Sequence, residues 1–360
     1  MDHDVIYIGM DLGTFKTSVV SSNGRRETMV TAVGYPIDYV SRAHLGQDVV
    51  FGEDVFEQRL ALDVVRPFAK GTLKFQHEDN DHLSTSDLEK NKQAARLIVS
   101  HAVAATEPPA GVPVYGVIGA PSRASITCKE LLLDIASEAF DGVVIVPEPF
   151  TVAYGMNRLS ETLIVDIGAG TIDICPMRGR FPTDEEQVTI PLGGDMVDER
   201  FRELLLQAYP GVQISEKMAR EIKERHGFVH NVDERAEVTL PINGRPTQLD
   251  VTEPLKEACR SLVPPIIEGL CQVIAGFDPE FQKPLLQNIL IGGGGSLMNG
   301  LDQLLEEGLS EFGEIRVTKV YDSVFAGAVG ALRLAMAMPV ENWQEIRDLD
   351  QADRLEQQAA

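Results

Sequence analysis

The sequence predicts an α/β fold of two duplicated core halves, each half with a smaller inserted subdomain. Two observations predict it. Strand-like apolar runs alternate with stretches whose apolar residues recur every three or four positions, the pattern of strands interleaved with helices. A segment of apolar run, Asp, a turn of Gly and Thr, and a second apolar run is written twice, as IGMDLGTFKTSVV around Asp11 and LIVDIGAGTIDI around Asp166, 155 positions apart (166 − 11). At 360 residues the chain has room for two domains with separate cores.

Taken in order, residues 5 to 35 alternate apolar with small or polar residues around glycines and read as hairpin-connected strands. Further strands are expected at VYGVIGA (114–120), VVIVPEP (143–149), LIVDIG, TIDICPM and NILIGGG. Helices are expected at DLEKNKQAARLIVSHAVAA and TCKELLLDIASEAF. Residues 36–90 and 195–258 are richer in charge and read as the inserted subdomains. The first core half is then 1–35 with 91–158 and 336–360, and the second is 159–194 with 259–335. The closing stretch PVENWQEIRDLDQADRLEQQAA is helical in propensity but polar nearly all round, too thin on its apolar side for a membrane anchor.

Composition narrows the function. With 44% hydrophobic and 24% charged residues the chain is of the folded class rather than the disordered one. A net charge of −23 disfavours nucleic acid and anionic lipid as partners, so neither nucleic-acid binding nor direct membrane insertion is expected. No uninterrupted apolar run approaches the roughly 20 residues of a membrane span, and the reading is cytoplasmic. An acidic chain that self-associates should do so better when salt or Mg²⁺ screens the repulsion. The four cysteines show no metal-ligand spacing and read as reduced, mostly buried thiols. His226 and His230, four apart, read as a packed or solvated pair on one helix face.

The chemistry lies in the glycine turns. A strand that ends in Asp and turns through Gly and Thr exposes backbone N–H groups and a hydroxyl at its tip, and glycine permits the close approach a phosphate needs. Asp11 or Asp166 repels phosphate unless a divalent cation, or water held by one, stands between them. One such element alone reads as well as a tight turn with a solvated Asp; two copies at the starts of two α/β halves favour a shared polyphosphate gripped from both sides. A P-loop is not available, since GxxxxGK[ST] does not occur. A third run, NILIGGGGSLMNGL, offers Gly292, Gly293, Gly294 and Gly295 as a bare surface for a base or ribose, with Ser296 expected to cap the helix that follows. It fails as a dinucleotide fingerprint because the spacing is not GxGxxG.

The ordered set IGMDLGTFKTSVV, EPFTVAYG, LIVDIGAGTIDI, ILIGGGGSLMNGL and FAGAVGAL resembles the phosphate 1, connect 1, phosphate 2, adenosine and connect 2 motifs of the actin, Hsp70 and sugar-kinase ATPase superfamily, across nearly the whole chain. RPFAKGTLK (66–74) resembles the Pro-x-x-x-Gly turn of bacterial actin homologues, and the likeness extends to their organelle-aligning branch. The resemblance implies an actin-like ATPase fold with the two core halves around a nucleotide cleft, ATP/ADP and Mg²⁺ as cofactors, and a cytoplasmic, cytoskeletal homopolymer filament with organelle-associated adaptors as further partners. By that likeness the N–H groups of Gly13, Thr14, Phe15, Gly168, Ala169, Gly170 and Thr171 hold phosphates, and Asp11 and Asp166 order the metal through water. Glu148, between two prolines, polarises the attacking water. EKMAREIKERHGF (216–228) resembles the nucleotide-facing helix of actins, which makes Lys223 and Glu224 contacts to ribose or base and Arg220 a further candidate. Lys16 departs from the small residues usual in the first turn and either reaches phosphate or points into solvent.

Two other classes share the motifs. An Hsp70-like chaperone carries a substrate domain after the ATPase, and the given chain runs only about 28 residues past FAGAVGAL (360 − 332). A metabolite kinase needs a substrate-hydroxyl base and pocket that nothing here marks.

Overall fold

The structure is a computed structural model that describes residues 5–69, 73, 85–122, 124–230 and 235–348. The expected turn at 66–74 and the acidic stretch after it fall largely outside these residues, as does the tail beyond 348. The chain divides into two compact units, Met1–Asn157 with Val324–Ala360, and Arg158–Ser323.

In the first unit, β1 (Ile6–Leu12), β2 (Lys16–Ser21) and β3 (Arg26–Val30) form an antiparallel meander, as the glycine-punctuated alternation predicts. The inserted region adds β4 (Val33–Pro36), α1 (Tyr39–Leu45), β5 (Val50–Phe51), α2 (Asp54–Glu57) and β6 (Leu62–Val65), whose strands form a separate sheet in the order β5-β4-β6. That sheet has its own small core of Val30, Ala32, Val50, Val55 and Leu62. Helix α3 (Thr85–Ala105) leads to β7 (Val114–Ala120), α4 (Ile126–Ala136), β8 (Gly142–Pro147) and α5 (Glu148–Gly155). Strands β7 and β8 lie parallel to β1, giving the order β3-β2-β1-β7-β8. The strand expected over 143–149 thus stops at Pro147, because Glu148 and Pro149 take the first helical turn, where proline's missing N–H costs nothing.

The second unit repeats the plan. β9 (Ser160–Ile167), β10 (Ile172–Arg178) and β11 (Val188–Ile190) form the antiparallel part. Then come α6 (Gly194–Ala208), α7 (Glu216–His226), the hairpin β12 (Glu237–Ile242) and β13 (Arg245–Asp250), α8 (Thr252–Arg260), α9 (Val263–Ala275) and α10 (Pro279–Leu286). The strand β14 (Ile289–Gly292), helix α11 (Leu301–Gly308) and β15 (Val317–Lys319) complete the order β11-β10-β9-β14-β15, with the last two parallel to β9. The two sheets therefore share one pattern of two antiparallel and two parallel pairings. The 252–275 stretch has the length and hydropathy of a membrane crossing, but Leu255, Leu262, Ile266 and Leu270 are fully buried in this unit's core, as in a core helix.

The last described helices return to the first unit. Helix α12 (Ala326–Ala337) lies so close on β1 that a Cβ at Gly9 would sit 2.1 Å from the Ala328 carbonyl oxygen. Residues 324–335, assigned from sequence to the second half, thus pack with the first. The closing stretch is also less polar than it reads. Within the helical residues 340–348, Trp343 is completely buried, stacks on Tyr115 at 5.2 Å and donates its indole N–H to the Ala335 carbonyl at 3.2 Å. His230 lies beyond the end of α7, against Glu307, rather than on a helix face with His226. The cysteines are free, and burial pushes the Cys259 thiol up to about 11 and Cys175 further still.

Candidate nucleotide site

Each tip sits at the end of the central strand of its sheet. In the first unit Asp11 pairs across to Ser18 on β2 and, on the parallel side, to Gly119 on β7. The turn that follows is held tight: a Cβ at Gly13 would meet the Lys16 carbonyl oxygen at 2.3 Å. Thr14 is buried. Among the described residues, no hydrogen-bond acceptor takes the N–H of Gly13 or Thr14. The Phe15 ring turns to the inserted sheet, stacking near Phe56 with the Arg66 guanidinium 5.3 Å from its centroid. Lys16 is exposed, its Nζ 5.9 Å from the Phe15 centroid.

Glu148 is brought to the same end of this sheet. It opens α5 directly after β8, is nine-tenths buried, and its Cγ would lie 3.1 Å from a Cβ added at Gly119, the register partner of Asp11. The Thr151 hydroxyl donates to the Glu148 carbonyl at 2.7 Å and secures the first helical turn. Gly327, at the start of α12, faces Asp11 from the other side, where a Cβ would stand 2.9 Å from the Asp11 carboxylate. A side chain there would force the Asp11 carboxylate to move.

The second tip repeats the register. Asp166 pairs with Asp173 on β10 and with Gly292 on β14, a glycine again beside the acid. Asp173, the second carboxylate of LIVDIGAGTIDI, is part of the tip's own structure. Its two oxygens accept from the Thr171 hydroxyl at 3.1 Å and the Thr189 hydroxyl at 2.6 Å, and it is 1% exposed. Of the N–H groups expected to hold phosphate here, Gly168 is spent: it donates to the Thr171 carbonyl at 2.8 Å and closes the turn. Among the described residues, those of Ala169, Gly170 and Thr171 have no acceptor.

The third glycine run is used in two ways. Gly293 has φ +73°, and a Cβ on it would lie 2.4 Å from the Asp166 carboxylate; a Cβ on Gly295 would strike Ile167 at 2.2 Å. These two glycines let the run pack onto the phosphate tip. Gly294 faces open space and Gly292 ends β14. Ser296 does not cap the following helix. It is fully buried in a 3₁₀ turn, its hydroxyl donates to the Gly293 carbonyl at 2.7 Å, and α11 begins only at Leu301 after Gly300.

On α7, Lys223 is engaged within its own unit. Its Nζ donates to the Gly194 carbonyl at 2.7 Å and pairs with Asp198 at 2.8 Å. Arg220 bridges Asp195 at 2.8 Å and Asp198 at 3.3 Å. Burial pushes the Asp198 carboxyl above its ordinary range, although Lys223 and Arg220 pull the other way. Glu224 is on the exposed side of the helix. Asp198 carried no sequence signal beyond its place in a charged helical stretch. No group of three or more His, Cys, Asp or Glu able to hold a metal directly occurs among the described residues.

Two sheets of identical topology, each ending its central strand in Asp and a glycine tip, define the actin-like class of ATPase folds. Known proteins agree. A family model described as MreB/Mbl protein matches residues 85–338. The actin-like protein MamK of Paramagnetospirillum magneticum is 40% identical over 96% of this chain and 96% of its own length, and that of Magnetospirillum gryphiswaldense 39% identical over 96% and 92%. The structure of a MamK double helical filament superposes with a TM-score of 0.86 at 40% identity, covering 93% of this chain and 99% of that one. A non-polymerising MamK mutant bound to AMPPNP matches at 0.69 over 92% and 99%. The chain belongs to the MreB/Mbl family of actin-like cytoskeletal proteins and is related to MamK along nearly all of its length.

Proposed function

We propose that this chain is a cytoskeletal ATPase that binds ATP·Mg²⁺ with both glycine tips, polymerises into an actin-like filament and turns over on hydrolysis in the cytoplasm, aligning magnetosomes through adaptor proteins. The observation that carries the reading is the duplicated register: Asp11 beside Gly119, and Asp166 beside Gly292, each at the end of a central strand followed by amides, those of Gly13, Thr14, Ala169 and Gly170, with no acceptor among the described residues. Unpaired N–H groups at such tips are suited to phosphate oxygens. The relatives' filament and AMPPNP-bound structures support extending that chemistry to assembly.

The residues also fit the metal. Mg²⁺ keeps several waters and is held by one or two carboxylates plus substrate phosphates, and each tip offers one carboxylate beside unpaired amides, Asp11 in the first and Asp166 in the second. When bound, the ion neutralises phosphate charge and orients the transferring group. Asp11 and Asp166 would hold it through water. Glu148, fixed at the first turn of α5 and shielded from solvent, orients the attacking water and accepts its proton. Gly294, with open space above it, suits the base or ribose.

Sedimentation and negative-stain microscopy of the purified chain with ATP and Mg²⁺ across a salt series test the assignment. Filaments that need nucleotide and form more readily as salt screens the −23 charge are expected. Soluble monomers in every lane, with phosphotransfer to a sugar or ATP-dependent peptide release, would replace it with the kinase or chaperone reading.

A further inference from the structure

The start of α6 carries no side-chain cap; its N-cap is Gly193. The first N–H groups of a helix ordinarily lack partners, yet here two of them find the phosphate tip. Gly194 N–H donates to the Gly168 carbonyl at 3.0 Å and Asp195 N–H to the Ala169 carbonyl at 2.8 Å. A trans peptide directs its C=O and N–H to opposite sides. Fixing the Gly168 and Ala169 carbonyls onto α6 therefore turns the N–H groups of Ala169 and Gly170 away from the helix, and neither has an acceptor among the described residues.

The approach is close enough to exclude a side chain. A Cβ at Gly193 would stand 2.5 Å from the Ala169 oxygen and 2.6 Å from the Gly168 oxygen. Behind this contact α7 grips the first turn of α6: Lys223 bonds the Gly194 carbonyl, Arg220 bonds Asp195, and both reach Asp198, which is 3% exposed. A buried carboxylate between two cations is costly to assemble and costly to break, which makes the arrangement rigid.

We propose that the first turn of α6, clamped by Asp198 through Lys223 and Arg220, aims the tip amides at the polyphosphate, with Gly193 and Asp198 as positioning residues for ATP. The inference rests on the reading of the tip as a phosphate holder. The contact also gives α7, through Lys223 and Arg220, a mechanical role at the phosphate tip.

The test is titration of the full chain with ATP·Mg²⁺ and, by competition against a fluorescent ATP, with AMP, which keeps base, ribose and a single phosphate. Gly193→Ala is expected to weaken ATP about tenfold or more, the loss of one charge-assisted bond, while AMP changes by less than about threefold. Asp198→Asn should shift the ATP-to-AMP ratio in the same direction, and it carries the comparison alone if Gly193→Ala does not fold. An unchanged ratio in the folded variants, whether both nucleotides weaken equally or neither does, overturns the proposal. A parent chain that binds ATP while the ratio stays unchanged sinks this inference alone; a parent chain that binds no ATP sinks the tip reading with it.

Discussion

Asp166 and Asp173 face one another across the β9–β10 hairpin, two carboxylates in directly opposed register, 8% and 1% exposed. Asp173 is tied down by the hydroxyls of Thr171 and Thr189, so one of the pair serves the structure of the tip. Asp173→Ala strands two hydroxyls and should cost about 1–3 kcal/mol of stability. Asp173→Asn keeps an acceptor oxygen and should cost less. Denaturant unfolding of the two variants checks the order, and an alanine variant as stable as the parent refutes it.

Helices α5 and α12 cross where neither tolerates a side chain. A Cβ at Gly330 would fall 1.7 Å from the Thr151 carbonyl oxygen, and one at Gly155 would fall 2.9 Å from the Gly330 Cα. Gly330→Ala should destabilise by about 3 kcal/mol, at the upper end of overpacking effects, and lower the melting temperature by several degrees. Gly276→Ala, whose nearest contact would be an ordinary 3.4 Å, serves as the control and should melt near the parent.

Acid sensitivity should show at Glu186. Burial alone would raise its pKa, but the Thr183 N–H and the Arg180 and Arg178 guanidiniums outweigh burial and hold it below the ordinary 4.5. A carboxyl lowered on folding contributes stability above its unfolded pKa and loses it as pH falls through the folded value. Glu186→Gln should therefore be less stable than the parent at pH 7, with the gap closing on acidification below about pH 4. Parallel pH–stability curves would contradict this.

Glu148→Ala should slow phosphate release by about 10² to 10⁴ while leaving ATP binding nearly intact. Single-turnover release and equilibrium titration separate the two quantities. A variant hydrolysing at the parent rate removes Glu148 from the chemistry.

The duplicated α/β plan was readable because each strand, turn and acid is written within about fifteen consecutive residues, and the period-2 alternation around Asp11 and Asp166 survives in the register. What stayed hidden depends on pairing between distant segments. Gly168 looks like any tip amide until the Thr171 carbonyl is seen to take its hydrogen. The consecutive glycines in PLGGD were the one available sign that α6 approaches a backbone closely, and nothing local says which backbone. Ser296 has the residue type of a helix cap, yet its hydroxyl turns back to Gly293. The small residues of FAGAVGAL mark tight packing, but only the fold shows that it is against Gly9 and Thr151.

The most direct measurement is calorimetric titration of ATP·Mg²⁺ into the parent chain, Asp11→Ala and Asp166→Ala. A phosphate-holding role for each tip requires ATP binding by the parent chain and a marked loss of affinity in each variant. A parent chain that takes up no ATP, or either variant binding as the parent does, would contradict it.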